Sequence, residues 1–102
     1  MFKLKGKIKM KSIVILAKSY TNNSGNSFFR YKIIIDGLHY TLSDIQPGYD
    51  SQYFFNAINF LKGKKLIPLD ISYSSYHFSK IGINLYSEKF QVNTLKELKK
   101  WD

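Results

Sequence analysis

Planar rings and cations dominate the residues of this chain that could do chemistry, and several fall close together. Tyr76-His77-Phe78 is followed almost at once by Lys80, and Phe28, Arg30 and Lys32 occupy every second position of a β-favouring run. Aromatic planes stack on flat ligands, each stacked base being worth about 1–3 kcal/mol, and ammonium or guanidinium groups hold phosphates. Catalysis would need partners that the spacing does not supply. His39 and His77 have no carboxylate or second histidine at ligand spacing, so neither a metal centre nor a general base is indicated. Asp36, Asp44, Asp50 and Asp70 are divided among a turn, a loop, a cap and a strand, and no pair is placed to hold a divalent cation or to act as acid and base. Gly63-Lys64 lacks the upstream glycine and the following hydroxyl of a phosphate-binding loop. No cofactor, metal or small-molecule substrate is expected, and the chain is not read as an enzyme.

The charge balance points the same way. Sixteen basic residues face seven acidic ones in 102 residues, a formal net charge of +9. The preference for Lys over Arg and the frequent Ile, Asn and Tyr follow from an AT-rich coding sequence, but the shortage of acids does not. A polyanionic partner, nucleic acid first, is the physical expectation. Cysteine is absent, which excludes disulfides, thiolate zinc sites and cysteine nucleophiles. Every apolar run falls well short of the roughly 18 residues a membrane span needs, so a soluble, cytoplasmic protein with no membrane partner is expected.

These residues need elements to position them, within a single domain over residues 1–102. From Phe2 to Lys11, Lys takes every odd position and an apolar residue or Gly6 every even one, the pattern of a half-buried strand. Lys9 and Lys11 join the candidate site from this row, although lysines on a strand also protect an edge from unwanted pairing. The strand continues through Ser12 to Ala17 and stops at a loop, Tyr20 to Ser27. Phe28 to Ile35, Asp36-Gly37 and Leu38 to Ser43 form a hairpin with a type I′ turn, predicted to set Ile35 opposite Leu38, Ile33 opposite Tyr40 and Tyr31 opposite Leu42. Its other face then carries Phe28, Arg30, Lys32 and His39.

A helical period begins at Asp50, with Phe54, Ile58 and Leu61 on one face and Gly63 as the residue after the cap. Strands are expected over Lys64 to Tyr73 and Ile81 to Tyr86, joined by a flexible serine-rich loop that presents Tyr76, His77, Phe78 and Lys80. Tyr49 and Tyr53 are weaker additions at the helix start. Thr94 to Glu97 has capping-box form and opens a terminal helix over 94–101.

The order β-β-β-α-β-β-α, with a long glycine-containing first strand, resembles the oligonucleotide-binding fold, a mainly β, five-stranded Greek-key barrel, here over residues 2–90. The small size and basic charge look like the single-stranded-DNA-binding proteins of phages and mobile elements. The resemblance implies that nucleic acid lies across the faces of strands two and three between the loops at 20–27 and 73–80. The expected function is therefore sequence-tolerant binding of single-stranded nucleic acid, most simply DNA during replication, by a monomer or homodimer. Two other readings stand beside it: a basic protein-interaction module such as a phage inhibitor of a host nucleic-acid enzyme, and a small ribonuclease toxin.

Overall fold

The fold is seen in a computed structural model that describes residues 11–101, with only the backbone described at 38–40. Among the described residues three antiparallel strands come first, β1 (Ser12–Thr21), β2 (Ser27–Ile35) and β3 (Leu38–Leu42), followed by a two-residue β4 (Gln46–Pro47); the strand expected over Phe2 to Met10 lies outside the described residues. Two helices follow, α1 (Gln52–Gly63) and α2 (Ser75–Lys80), then β5 (Asn84–Gln91) and a short α3 (Leu95–Lys99). The sheet order is β3-β2-β1-β5, with β4 paired to the end of β2 that β3 leaves uncovered. β5 runs parallel to β1, from Ser12↔Asn84 to Ser19↔Gln91, so the helices form a crossover. The sheet is thus mixed and open where a closed barrel was expected.

The hairpin turn is as the sequence predicts. Asp36 and Gly37 both have positive φ, 52° and 82°, the type I′ signature. The register starts as predicted, with Ile35 opposite Leu38, but after Ile34↔His39 it slips at a bulge, so Ile33 faces Thr41 and not Tyr40, and Leu42 faces Lys32 and not Tyr31, which leaves Tyr40 as the extra residue. At the other hairpin the Asn22 side chain accepts the N–H groups of Ser24 and Asn26, closing the loop between β1 and β2.

Alternation then decides which face is buried. Ile13, Ile15 and Ala17 of β1 and Phe29, Tyr31 and Ile33 of β2 point to one side and meet Tyr53, Ala57, Ile58 and Leu61 of α1, with Ile67, Phe78 and Ile83 closing the core. The buried stripe of α1 is turned slightly from the expected one, leaving Phe54 half-buried at its margin. α1 also ends later than predicted. Leu66 N–H donates to the Leu61 carbonyl and Lys65 N–H to that of Lys62, a Schellman closure in which Lys65, with φ 60°, takes the place expected of Gly63.

Two expected elements are replaced. Lys64 to Tyr73 forms no strand: Ile67 is buried but Leu69 is 55% exposed, so the alternation has no sheet to serve. The predicted loop Ser74 to Lys80 is instead the helix α2, capped by the Ser74 hydroxyl accepting the Tyr76 N–H. The last strand starts three residues later than predicted and runs five further. The terminal capping box is present, with Thr94 and Glu97 bonded reciprocally. Among the described residues no helix is long and apolar enough to cross a membrane.

One carboxylate joins the hairpin tip to the start of β1. Asp36 accepts the backbone N–H groups of Lys11 and Ser12 at 2.8 and 2.9 Å, which holds it below the ordinary carboxylate range, with the Lys11 charge adding to the effect. A depressed folded value means that its contribution is complete above about pH 4 and is lost as pH falls through the lowered value. Asp36→Asn keeps an acceptor and tolerates positive φ but cannot titrate. Its melting temperature is therefore expected to fall less steeply on acidification than that of the parent, and superimposable acid limbs would refute the assignment.

Candidate nucleic-acid interface

α2 sorts its side chains sharply. Phe78 is fully buried, whereas Tyr76 is 61% exposed and His77 and Lys80 are exposed beside it. Lys80 follows Tyr76 by one helical turn, and its Nζ lies 5.1 Å from the ring centroid. The rings of Tyr76 and His77 meet edge to face at 5.4 Å.

The exposed side of α1 repeats the chemistry with Phe55, Asn59 and Lys62 at helical spacing. Tyr73, in the segment before α2, lays its ring against Phe55 at 5.2 Å and donates its hydroxyl to Asn59 Oδ1. Lys62 Nζ sits 4.1 Å from the Tyr73 centroid, and Lys64 Nζ lies 5.6 Å from that of Phe60. Tyr73 precedes Tyr76 by three residues, so their backbones are within about 10 Å of one another. Past the end of α2, Lys11 lines an open groove of about 320 Å³ with Ser79, Gly82, Ile83 and Asn84. The helical side of the molecule thus carries a set of half-exposed or exposed rings, of which Tyr73, Tyr76 and Phe60 each have an ammonium close by. Such a surface can stack flat ligands while holding anions at the side. Among the described residues no three His, Asp or Glu side chains converge on a metal-sized site.

The other predicted residues lie across the sheet. Phe28, Arg30 and Lys32 share the face opposite the core, but α3 and Trp101 occupy much of it. Arg30 donates Nε–H to the Ser43 carbonyl at 2.8 Å and an Nη–H to the Lys99 carbonyl. Lys32 is 8% exposed, with Nζ 5.3 Å from the Trp101 centroid. Phe28 is half-buried opposite Tyr20.

The predicted site is therefore divided and in part corrected. Tyr76, His77 and Lys80 are together and accessible, with Lys11 on the groove past their helix. Phe78 is a core residue, because α2 needs one inward side chain to dock. Arg30 and Lys32 are engaged by the C-terminal segment and do not line an open strand face. Lys9 lies outside the described residues, as does the side chain of His39. Sequence reasoning set Tyr73 at the junction of the expected strand and the loop at 73–80 without naming it as a site residue, and it did not single out Phe55 or Lys62 on the outer side of α1. It also missed the contact of Lys18 with Trp101, although the parity of Lys18, opposite to Ile13, Ile15 and Ala17, was visible.

No family model, curated protein or solved structure matches this chain.

Proposed function

We propose that the protein binds single-stranded nucleic acid, without catalysis and with little sequence preference, through the platform of α1, Tyr73 and α2. The observation that carries this reading is the pairing of lysine with ring: Lys62 with Tyr73, Lys80 with Tyr76 and Lys64 with Phe60. A base that stacks on such a ring leaves the ammonium beside its own phosphodiester, so one pair serves both halves of a nucleotide. Oligonucleotide-binding barrels use the same logic, rings set in a cationic track, and here a helical platform takes the place of the barrel wall. Such a protein would act inside the cell on strands opened during replication or recombination. The net charge of +9 supports the polyanionic partner.

Titration with oligodeoxythymidylate at several salt concentrations tests this. Neutralising about four phosphates, with Lys11, Lys62, Lys64 and Lys80 as the cations, gives a slope of log K against log salt near −3, from about −0.7 per contact. Tyr76→Ala is expected to weaken binding by about 1–3 kcal/mol while the melting temperature holds, because the ring lies outside the core. A slope near zero, or no binding at low salt, overturns the reading. Preference for duplex would remove stacking from it.

A further inference from the structure

The two edges of the sheet are finished differently. β3 is five residues long and carries the bulge at Tyr40, which interrupts its ladder. Bulges of this kind keep an edge from pairing with another chain. β5 is eight residues long and pairs with β1 without a slip from Asn84 to Gln91. Among the described residues no strand pairs with its other side. Its single lysine does not guard that side, because Lys89 Nζ turns back to donate to the Asp50 carbonyl at 2.9 Å.

Parity fixes what this edge presents. Asn84 N–H donates to the Lys11 carbonyl and Val92 N–H to that of Ser19, so the even-numbered residues of β5 bond to β1. The N–H and C=O groups of Leu85, Ser87, Lys89 and Gln91 therefore point outward as a row of donors and acceptors. Tyr86, Glu88 and Phe90 project from the face away from the core, beside Val14, Leu16 and Lys18. Two of them are large rings left 54% and 44% exposed, and the Tyr86 hydroxyl donates to the Glu88 carboxylate.

We propose that β5 pairs with β5 of a second copy of this chain, antiparallel about a two-fold axis perpendicular to the sheet. That symmetry sets outward residues of one copy opposite outward residues of the other, as an antiparallel ladder requires. With the axis at Ser87, each Ser87 faces its counterpart, Leu85 faces the partner's Lys89, and Tyr86 faces the partner's Glu88, whose carboxylate can accept its hydroxyl. With the axis moved to Glu88, two carboxylates would stand directly opposite, so charge selects the first register. The same axis keeps both cores on one side of a continuous sheet. α2 packs on β5, so one α2 stands on each side of the junction, and a single strand bound as proposed above can cross from one platform to the other. Only this last consequence rests on the nucleic-acid reading.

Sedimentation of the full chain, with no oligonucleotide present, tests the pairing. The mass is expected to rise towards that of two copies with protein concentration. Chains of net charge +9 repel, so pairing should strengthen with salt, as the screening length falls from about 10 Å at 0.1 M to about 3 Å at 1 M, the opposite of the trend for nucleic acid. Ser87→Pro removes an outward N–H and no bond to β1, so it should weaken pairing at least about tenfold while the melting temperature of dilute protein holds. Tyr86→Glu sets like charges across the junction and should also weaken it, and adding Glu88→Lys should restore it. Amide exchange at Leu85, Ser87 and Lys89 is expected to slow as concentration rises. Slow exchange there in a chain that stays monomeric would give the edge to residues 1–10 and overturn the proposal. A monomer with fast exchange at every concentration and salt overturns it as well, as does a Ser87→Pro dimer as tight as the parent's. Failure to bind oligodeoxythymidylate would remove the nucleic-acid reading and leave the pairing standing.

Discussion

Phe78→Ala is expected to destabilise the fold by about 3–5 kcal/mol, the usual cost of emptying a buried phenylalanine site, and so to remove most of the stability of a domain this size. The ring is fully buried and is the one buried side chain of α2. Six residues cannot sustain a helix in isolation, so α2 persists because Phe78 docks it. Its carbonyl also accepts the N–H groups of Ile81 and Ile83, which lead into β5. Loss of the ring therefore loosens the helix and the start of the last strand together. Phe78→Leu should retain a substantial part of the stability. Thermal unfolding of the two variants decides the matter, and a parental melting temperature for Phe78→Ala would place the ring outside the core.

Gly48→Ala is the second severe change, for a reason of space. Gly48 joins β4 to α1 with φ 156°, and a Cβ placed there would lie 2.6 Å from Phe29 Cε2 and 2.9 Å from Gln52 Cγ. Gln52 is exposed and can move. Phe29 is a core ring, 2% exposed, and cannot move without disturbing Tyr31 and α1. Overpacking of this kind costs about 1–3 kcal/mol, and the strained backbone about 1–3 kcal/mol more. Gly63→Ala is the matched control: it lies in the last turn of α1 with nothing within 4 Å of the added carbon, and helix propensity predicts a gain of about 0.5–1 kcal/mol. Denaturant midpoints should move in opposite directions for the two variants. A Gly48→Ala midpoint at or above that of the parent would show that the chain accommodates the methyl group.

Features with a local cause were legible in the sequence. Asp-Gly between β-favouring runs names its own turn, Thr94 with Glu97 names its own cap, and the spacing of Ile58 and Leu61 names the inner face of α1. Features with a distant cause were not. The alternation of Ile67, Leu69 and Ile71 is that of a strand, yet a strand exists only where a neighbour offers hydrogen bonds, and the parallel partner of β1 is β5. The slip at Tyr40 follows from a bulge that no residue type announces. For the site, the exposure of Tyr76 was readable and that of Tyr73 was not, because it depends on the lie of the segment between α1 and α2. The position of Trp101 depends on α3 folding back over the sheet, and no short-range pattern encodes that return.

The parallel pairing of β1 with β5 also bears on how the chain is made. Ser12 pairs with Asn84, 72 positions later, so a ribosome adding roughly 5–20 residues per second completes β1 about 4–14 s before its partner emerges. During that interval a strand destined for the middle of the sheet has one side unpaired, and Ile13, Val14, Ile15, Leu16 and Ala17 make it a strongly adhesive one. The lysines at 3, 5, 7, 9 and 11 precede that stretch, and Lys18 closes it. Their mutual repulsion works against neighbouring nascent chains zipping together along this segment. The basic run would thus keep growing chains apart during synthesis.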